Sequence, residues 1–206
     1  MPADQILPLV GLIIVMTGTP GPNNLMLMTS GARFGFRRSI PHILGIVAGC
    51  QTLLLGIALG LGSLLQTWPI AERALQLLCI GALLYLTWLL LRPSAPHENA
   101  LHDEVPEGTP AAHPLTFWQA ALFQWVNPKA WMMMVTALAA YSQPDNVTGS
   151  IAVIAGLFLV LSLPVIGFWN LSGAALHNWL ANPARERWFN RLMAVLLLTS
   201  LYPILQ

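Results

Sequence analysis

Charged side chains are scarce in this sequence of 206 residues, where they make up only 8% against 56% hydrophobic residues. A soluble domain carries roughly 25% charged residues, so the composition predicts an integral membrane protein in contact with lipid. The formal net charge is only +1, and no basic patch is interleaved with aromatic residues. We therefore expect no nucleic-acid partner.

Cysteines and acidic groups are also missing where many kinds of chemistry would need them. Cys50 and Cys79 stand alone inside apolar segments and match no disulfide, redox or metal pattern. No Asp or Glu falls near the middle of an apolar segment, which argues against a divalent-cation site because hard cations prefer carboxylate ligands. The sequence also has no P-loop for ATP. We predict a protein that uses no cofactor or metal and is not an enzyme.

The apolar residues form six stretches, each near the length of about 20 residues that a membrane-spanning helix needs. Their predicted bounds are residues 6–29, 41–65, 70–92, 117–141, 147–176 and 188–205. The amino terminus has no basic region, so we expect the first stretch to be a retained helix and not a cleaved signal peptide. The predicted fold is an all-α integral membrane protein with six transmembrane helices.

One polar stretch, residues 93–114, divides the chain into halves of three predicted helices each, residues 1–92 and 115–206. Its histidines, His97, His102 and His113, match no metal-binding spacing, so we expect a solvated, disordered tether. Residues 1–206 are therefore predicted to be a single transmembrane domain. Because three crossings reverse direction, the halves are predicted to form a 3+3 inverted repeat.

The arginines predict how the chain is oriented. If the amino terminus is outside, the inner loops hold seven arginines, and the outer side holds only Arg73. The seven are Arg33, Arg37, Arg38, Arg92, Arg185, Arg187 and Arg191. Cytoplasmic loops carry the excess of positive charge, so both termini are predicted to lie outside.

The first predicted helix contains a stretch that breaks helices, residues 17–24, with the sequence TGTPGPNN. Pro20 and Pro22 cannot donate backbone hydrogen bonds, so the carbonyls of Met16 and Gly18 lose their helical partners. In hydrocarbon an unsatisfied backbone group costs several kcal/mol, so such a break is tolerated only beside protein or a wet cavity. This stretch is therefore a candidate transport site.

The fourth predicted helix contains a second break at Asn127 and Pro128, which frees the carbonyl of Gln124. Lys129 follows directly, and placing a charge in the membrane costs at least roughly 2.5 kcal/mol. It either serves function or snorkels to the surface. A shift of 106 positions superimposes Pro22 on Pro128 and Met26 on Met132. Paired broken helices in corresponding halves indicate the binding site of a transporter.

The two breaks together suit a small zwitterion. The amides of Asn23, Asn24 and Leu25 begin a half-helix, and such an end attracts a carboxylate, which Lys129 can also hold. The freed carbonyls can accept hydrogen bonds from an ammonium group, so an amino acid fits. The proposed site residues are Thr19, Pro20, Gly21, Pro22, Asn23, Asn24, Gln124, Asn127, Pro128 and Lys129.

Coupling and assembly follow from the same residues. A proton is the expected coupling ion, with Lys129 as its carrier, because burial disfavours the charged form. The small-residue spacing of Gly45 and Gly49 permits close approach of a neighbouring helix, and thus a homodimer. The alternatives are a non-transporting membrane scaffold and an exporter of another small zwitterionic or cationic solute.

These motifs resemble the LysE/RhtB family of amino-acid exporters. The first break, TPGPN at residues 19–23, is followed by GFRR at 35–38 and a glycine-rich helix, and NPK at 127–129 matches the family motif in the second half. The stretches at residues 117–127 and 135–138 are similar to the cysteine and O-acetylserine exporter branch. The resemblance implies a secondary transporter that exports amino acids or small derivatives across the bacterial inner membrane, with periplasmic termini.

Overall fold

The computed structural model describes residues 1–92 and 113–202, and every regular element in these two ranges is helical. The α-helices are α1 (Ala3–Gly18), α2 (Pro22–Gly56), α3 (Gly62–Thr67), α4 (Pro69–Leu91), α5 (Phe117–Phe123), α6 (Pro128–Tyr141), α7 (Val147–Ala175), α8 (His177–Leu180) and α9 (Pro183–Thr199). A π-helical turn, Ile57–Leu61, joins α2 to α3, and 3₁₀ turns at Gln124–Val126 and Pro144–Asn146 precede α6 and α7. The all-α prediction is confirmed. Most of the predicted tether, residues 93–112, lies outside the described residues.

Among the described residues, three stretches are long and apolar enough to cross a membrane, namely Pro22–Leu64, Pro69–Leu91 and Pro144–Ala175. They cover all but the last residue of the second, third and fifth predicted helices. The first predicted helix is divided, and its α1 part is apolar but has only 16 residues. The fourth is divided between α5 and α6, and the 17 residues of α9 begin with charged side chains. The count of six crossings therefore stays a prediction.

The predicted loop between the first two helices is reduced to one residue. Gly35 alone has non-helical angles within α2, with φ 75° and ψ 174°, a left-handed conformation that glycine adopts without strain. The hydroxyl of Ser39 donates to the Gly35 carbonyl at 2.8 Å and lies 2.8 Å from the hydroxyl of Ser30. Helical structure resumes at Phe36, five residues before the predicted start at Pro41.

The last helix also begins earlier than the hydrophobic pattern suggested. The side chain of Asn182 accepts hydrogen bonds from the amides of Ala184 and Arg185, at 2.9 and 3.4 Å, and Pro183 occupies the first turn. An Asn cap followed by Pro is a strong start signal. It places the start of α9 five residues before Trp188, and α9 ends at Thr199.

The packing centre is the crossing of α2 and α7, where two glycines let the helix backbones touch. A methyl group on Gly31 would overlap the carbonyl of Asn170, and one on Gly173 would overlap the carbonyl of Met28. Such small-residue contacts are how membrane helices approach closely. The crossing therefore holds the start of α2 firmly beside the end of α7.

Gly45 and Gly49 pack against α5 of the same chain. Their added methyl groups would overlap the carbonyls of Phe117 and Ala121, respectively. The prediction of close helix approach at these glycines is confirmed. Because this face of α2 is covered within the chain, it is not available as the dimer interface that its spacing suggested.

Side-chain contacts at the two ends of the molecule show how the helices run. The side-chain amide of Gln143, just after α6, donates to the side chain of Gln5 at 2.8 Å, near the start of α1. The start of α5 lies instead against Gly45, in the part of α2 that follows Gly35. Helix α1 thus approaches the first break from the end of the molecule at which α6 terminates.

Candidate functional site

Both predicted breaks are present and have the same local design. Helix α1 ends at Gly18, Gly21 is fully extended with φ −175° and ψ 176°, and Pro22 opens α2. In the second break a 3₁₀ turn leads to the extended residue Asn127, and Pro128 opens α6. Proline suits a first helical turn because no partner for its missing amide is needed there. The two prolines matched by the 106-residue shift therefore occupy equivalent positions.

Lys129 connects the two breaks. Its ammonium Nζ donates to the carbonyl of Thr19 and lies 3.4 Å from the carbonyl oxygen of Pro20. Its alkyl chain crosses Gly21 so closely that a methyl group there would lie 2.7 Å from Lys129 Cδ. Gly21 is extended, a conformation that any residue can adopt, so its backbone does not require glycine. The Lys129 side chain does, because it occupies the space that a side chain at position 21 would need. Lys129 therefore pairs with backbone across the molecule in this structure.

A second connection is made by two amide side chains. Asn23 Nδ2 donates to Gln124 Oε1 at 2.7 Å, and Gln124 Nε2 donates back to Asn23 Oδ1 at 3.0 Å. Gln124 is completely buried, and its amide also donates to the carbonyl of Ala120 at 2.9 Å. Asn127 Nδ2 completes the group by donating to Gln124 Oε1 at 3.3 Å. A buried polar network of this kind fixes the relative positions of the two breaks.

The carbonyls in the first break are satisfied differently from the prediction. Asn24 Nδ2 donates to the carbonyls of Thr17 and Thr19, at 2.7 and 2.9 Å. The indole of Trp169 donates to the Gly18 carbonyl at 3.2 Å, so Gly18 is not available as a ligand. Of the carbonyls predicted to be free, that of Gly18 is therefore occupied, and the carbonyls that contact the Lys129 ammonium are those of Thr19 and Pro20.

The Gln124 carbonyl is likewise occupied, because the amide of Asn127 donates to it at 3.3 Å. The expected role of the Leu25 amide was also wrong, since this amide bonds the carbonyl of Gly21 at 3.0 Å. The two corrections have different causes. The Asn127 bond closes the 3₁₀ turn at Gln124–Val126, whereas the Leu25 bond is the first intrahelical bond of α2, which its N-cap carbonyl accepts.

The two half-helix ends differ in how they are capped. At the start of α6 the side chain of Asn127 accepts from the Lys129 amide at 3.2 Å. At the start of α2 the cap position is Gly21, which has no side chain to offer. The amides of Asn23 and Asn24 lie in the first turn, where no helical carbonyl can reach them. The amino-terminal start of α2 is therefore the better anion site, with the Lys129 ammonium beside it.

These groups surround a small central cavity of about 40 Å³. Of the predicted site residues, Gly21, Asn23, Asn24, Asn127 and Lys129 line it. The other five, which do not line it, are Thr19, Pro20, Pro22, Gln124 and Pro128. Thr19 and Pro20 offer their carbonyls to Lys129. Pro22 and Pro128 open helices, and Gln124 belongs to the buried amide network. A cavity of this size holds only a few water molecules, so the site is closed in this conformation.

Several residues of this cavity are not among the proposed site residues, although Thr17 belongs to the predicted break. Thr17 is buried and lies 3.8 Å from the sulfur of Met133, and Cys50 lies 3.7 Å from Gln124 Oε1. Gln51, Phe158 and Ser162 also line the wall. The sequence showed Cys50 only as an isolated cysteine without a disulfide, redox or metal pattern. Nothing in an apolar run marks which face points inward, so only the packing of α2 and α7 identifies them.

Comparison with known proteins supports the assignment to a family. The family model described as LysE type translocator matches residues 14–199. A cysteine/O-acetylserine efflux protein of Escherichia coli O139:H28 (strain E24377A / ETEC) is 27% identical over 195 residues, covering 90% of this chain and 89% of the relative. The protein with the same description from Escherichia coli strain K12 is 28% identical over 155 residues, covering 73% and 71%. No solved structure matches this chain.

The family match extends across both breaks and all three membrane-capable stretches. It agrees with the apolar composition and with the transport-type geometry of two interrupted helices that meet at one cavity. The protein is therefore a membrane transporter and not an enzyme. This chain belongs to the LysE type translocator family.

Proposed function

We propose that this protein exports amino acids or small amino-acid derivatives across the bacterial inner membrane as a secondary transporter. One observation carries the proposal: the Lys129 ammonium from the second half sits on the Thr19 and Pro20 carbonyls of the first half. These carbonyls lie directly before the uncapped start of α2. Acceptors for an ammonium group and donors for a carboxylate are thus adjacent, as a zwitterion requires.

The substrate is expected to exchange partners with Lys129. Its ammonium group takes the carbonyls of Thr19 and Pro20, while Lys129 turns to the carboxylate at the amides of Asn23 and Asn24. Charge-assisted hydrogen bonds of this kind are the strongest available in a closed site. The names of the similar efflux proteins support cysteine or O-acetylserine as the class of substrate.

Transport is proposed to proceed by alternating access around the two breaks. The central cavity of about 40 Å³ is too small for an amino acid, so the halves must separate at this point to admit one. In the proposed topology of six crossings with periplasmic termini, the two three-helix halves cross the membrane in opposite directions. Transporters built from such an inverted repeat alternate access by moving one half against the other. Lys129 is the proposed proton carrier, because it is the one basic side chain that lines the central cavity and it can release its proton once the substrate carboxylate has left.

The test is efflux of a radiolabelled panel from bacterial cells with and without the gene. The panel contains L-cysteine, L-serine, O-acetyl-L-serine, L-lysine and the diamine putrescine. We expect faster loss of at least one neutral amino acid and a return to the background rate after a protonophore is added. Export of putrescine alone favours the cationic-solute alternative. Unchanged rates for every compound, with the protein present in the membrane, contradict export.

Replacing Gly21 by alanine tests the contact with Lys129. The new methyl group would lie 2.7 Å from Lys129 Cδ, a flexible chain that can move aside with little loss of stability. We expect the rate of efflux to fall roughly tenfold, as when one hydrogen bond to a charged group is removed, with normal insertion. Gly11→Ala in α1 is the matched control, because nothing lies within 4 Å of its methyl group. Efflux from Gly21→Ala at the rate of the Gly11→Ala control would contradict this role of the contact.

A further inference from the structure

A second cavity, of about 330 Å³, lies at the arginine-rich end of the molecule. It is enclosed by the last turns of α2 before Gly35, by α8 and by the start of α9. Polar side chains contribute to its lining, namely Thr29, Arg33, His177, Glu186 and Asn190. Ligand pockets in proteins have volumes of roughly 300–1,000 Å³. Unlike the central cavity, this one has the size of a binding site.

The cavity contains both charges that a zwitterion needs. Arg33 Nη2 on α2 lies 3.5 Å from Glu186 Oε1 on α9, and the two side chains are 24% and 20% exposed. The guanidinium fork suits a carboxylate, which it can bind through two parallel hydrogen bonds. The carboxylate of Glu186 suits an ammonium group. A bound zwitterion can therefore replace this one ion pair with two.

Two other polar side chains, His177 and Asn190, line the cavity. His177 Nδ1 lies 2.7 Å from the carbonyl of Ala32, and since a carbonyl only accepts, this nitrogen carries the hydrogen. The bond ties the start of α8 to the last turn of α2 before Gly35. Asn190, at 8% exposure, provides a nearly buried amide. The His177 bond thus joins two of the elements that line the cavity.

The position of the cavity relates it to the central site. Arg33 follows Asn24 by nine residues in one continuous helical segment, a distance of about 14 Å at 1.5 Å per residue. The arginines assign this end to the cytoplasm. A solute leaving the cell would therefore reach this cavity before the two breaks.

We propose that this cavity is a loading site for a small zwitterionic amino acid, with Arg33 binding its carboxylate and Glu186 its ammonium group. The proposal rests on the export function proposed above, and it adds a second binding site to it. Binding here would collect the substrate while the central cavity is closed. It would also part α2 from α9, since the ion pair that joins them is replaced.

The test counts binding sites in the full chain in lipid nanodiscs, by equilibrium binding of radiolabelled L-cysteine, L-serine and O-acetyl-L-serine. For at least one probe we expect two molecules bound per chain in the unchanged protein and one in Lys129→Ala. Adding Arg33→Gln and Glu186→Gln together to Lys129→Ala should weaken the remaining binding roughly tenfold to a hundredfold. The double change removes both members of the pair together. Arg187→Gln, an exposed arginine in the same turn of α9, is the control and should bind normally.

The outcomes separate the two proposals. One site in the unchanged protein that disappears in Lys129→Ala overturns the loading site and leaves the export function standing. Binding that survives removal of both charges overturns the assignment of Arg33 and Glu186. Failure to bind any probe overturns both proposals. The comparison of the unchanged protein with Lys129→Ala does not depend on whether the Arg33 and Glu186 variant folds.

Discussion

Replacing Lys129 with alanine is expected to abolish efflux while the protein still inserts and folds. The ammonium group bonds the carbonyls of Thr19 and Pro20 across the two breaks, and it is the one positive side chain at the central cavity. A hydrogen bond to a charged group is worth about 1.5–3 kcal/mol, so removing each of these bonds changes the rate roughly tenfold to a hundredfold. Removal of the proposed proton carrier adds to this. Efflux should fall to the rate of cells without the gene.

Two variants and one control separate charge from shape. Lys129→Met keeps the length of the chain without the charge, and we expect it to be as inactive as Lys129→Ala. Lys129→Arg keeps the charge, and its larger planar group should leave partial activity because the closed cavity has little room. Arg73→Gln removes a positive charge from an exposed position near the start of α4 and should transport normally. Full efflux from Lys129→Met would rule out the proposed role of the ammonium group.

Lys129 also offers a direct chemical readout, because it is the only lysine in the sequence. An amine-specific acylating reagent therefore has one side-chain target and the terminal amine. In the closed state the ammonium is held on two carbonyls, so we expect slow acylation. A bound substrate should change that rate, and mass spectrometry of the labelled peptide measures it.

The largest effect on stability is expected from Gly173→Ala in α7. The new methyl group would lie 2.7 Å from the carbonyl carbon and 2.9 Å from the Cα of Met28, both backbone atoms of α2. A helix backbone cannot move aside as a side chain can, so α2 and α7 must separate. Overpacking of this kind costs about 3 kcal/mol, which lowers the melting temperature of a chain of this size by about 6–12 °C.

Gly156→Ala provides the matched control on the same helix. Nothing lies within 4 Å of a methyl group at Gly156, and alanine is favoured over glycine inside a helix by roughly 0.5–1 kcal/mol. Thermal unfolding of both variants in detergent, monitored by size-exclusion chromatography, measures the difference in melting temperature. Equal melting temperatures for Gly173→Ala and the unchanged protein would show that this crossing is not as tight as the interatomic distances indicate.

The sequence by itself determined the class of the protein and the two breaks. Long apolar runs with few charges can only be accommodated as membrane helices, because backbone groups in lipid must bond within their own segment. Pro22 and Pro128 have to open helices, since proline lacks the amide that a helix interior needs. These are local constraints, so composition and spacing were sufficient to predict them. The single lysine beside a break was equally visible.

Only the tertiary structure decided which groups meet. That Gln124 pairs with Asn23, that Trp169 takes the Gly18 carbonyl, and that Lys129 reaches Thr19 all depend on how the helices pack. The same is true of Arg33 and Glu186, which are 153 positions apart. A hydrophobic run has no strong periodicity when lipid and protein are equally apolar, so it does not reveal its inward face. The close approaches at Gly31 and Gly173 fix how α2 packs on α7, and those at Gly45 and Gly49 fix how it packs on α5. Together they bring the two breaks to one site.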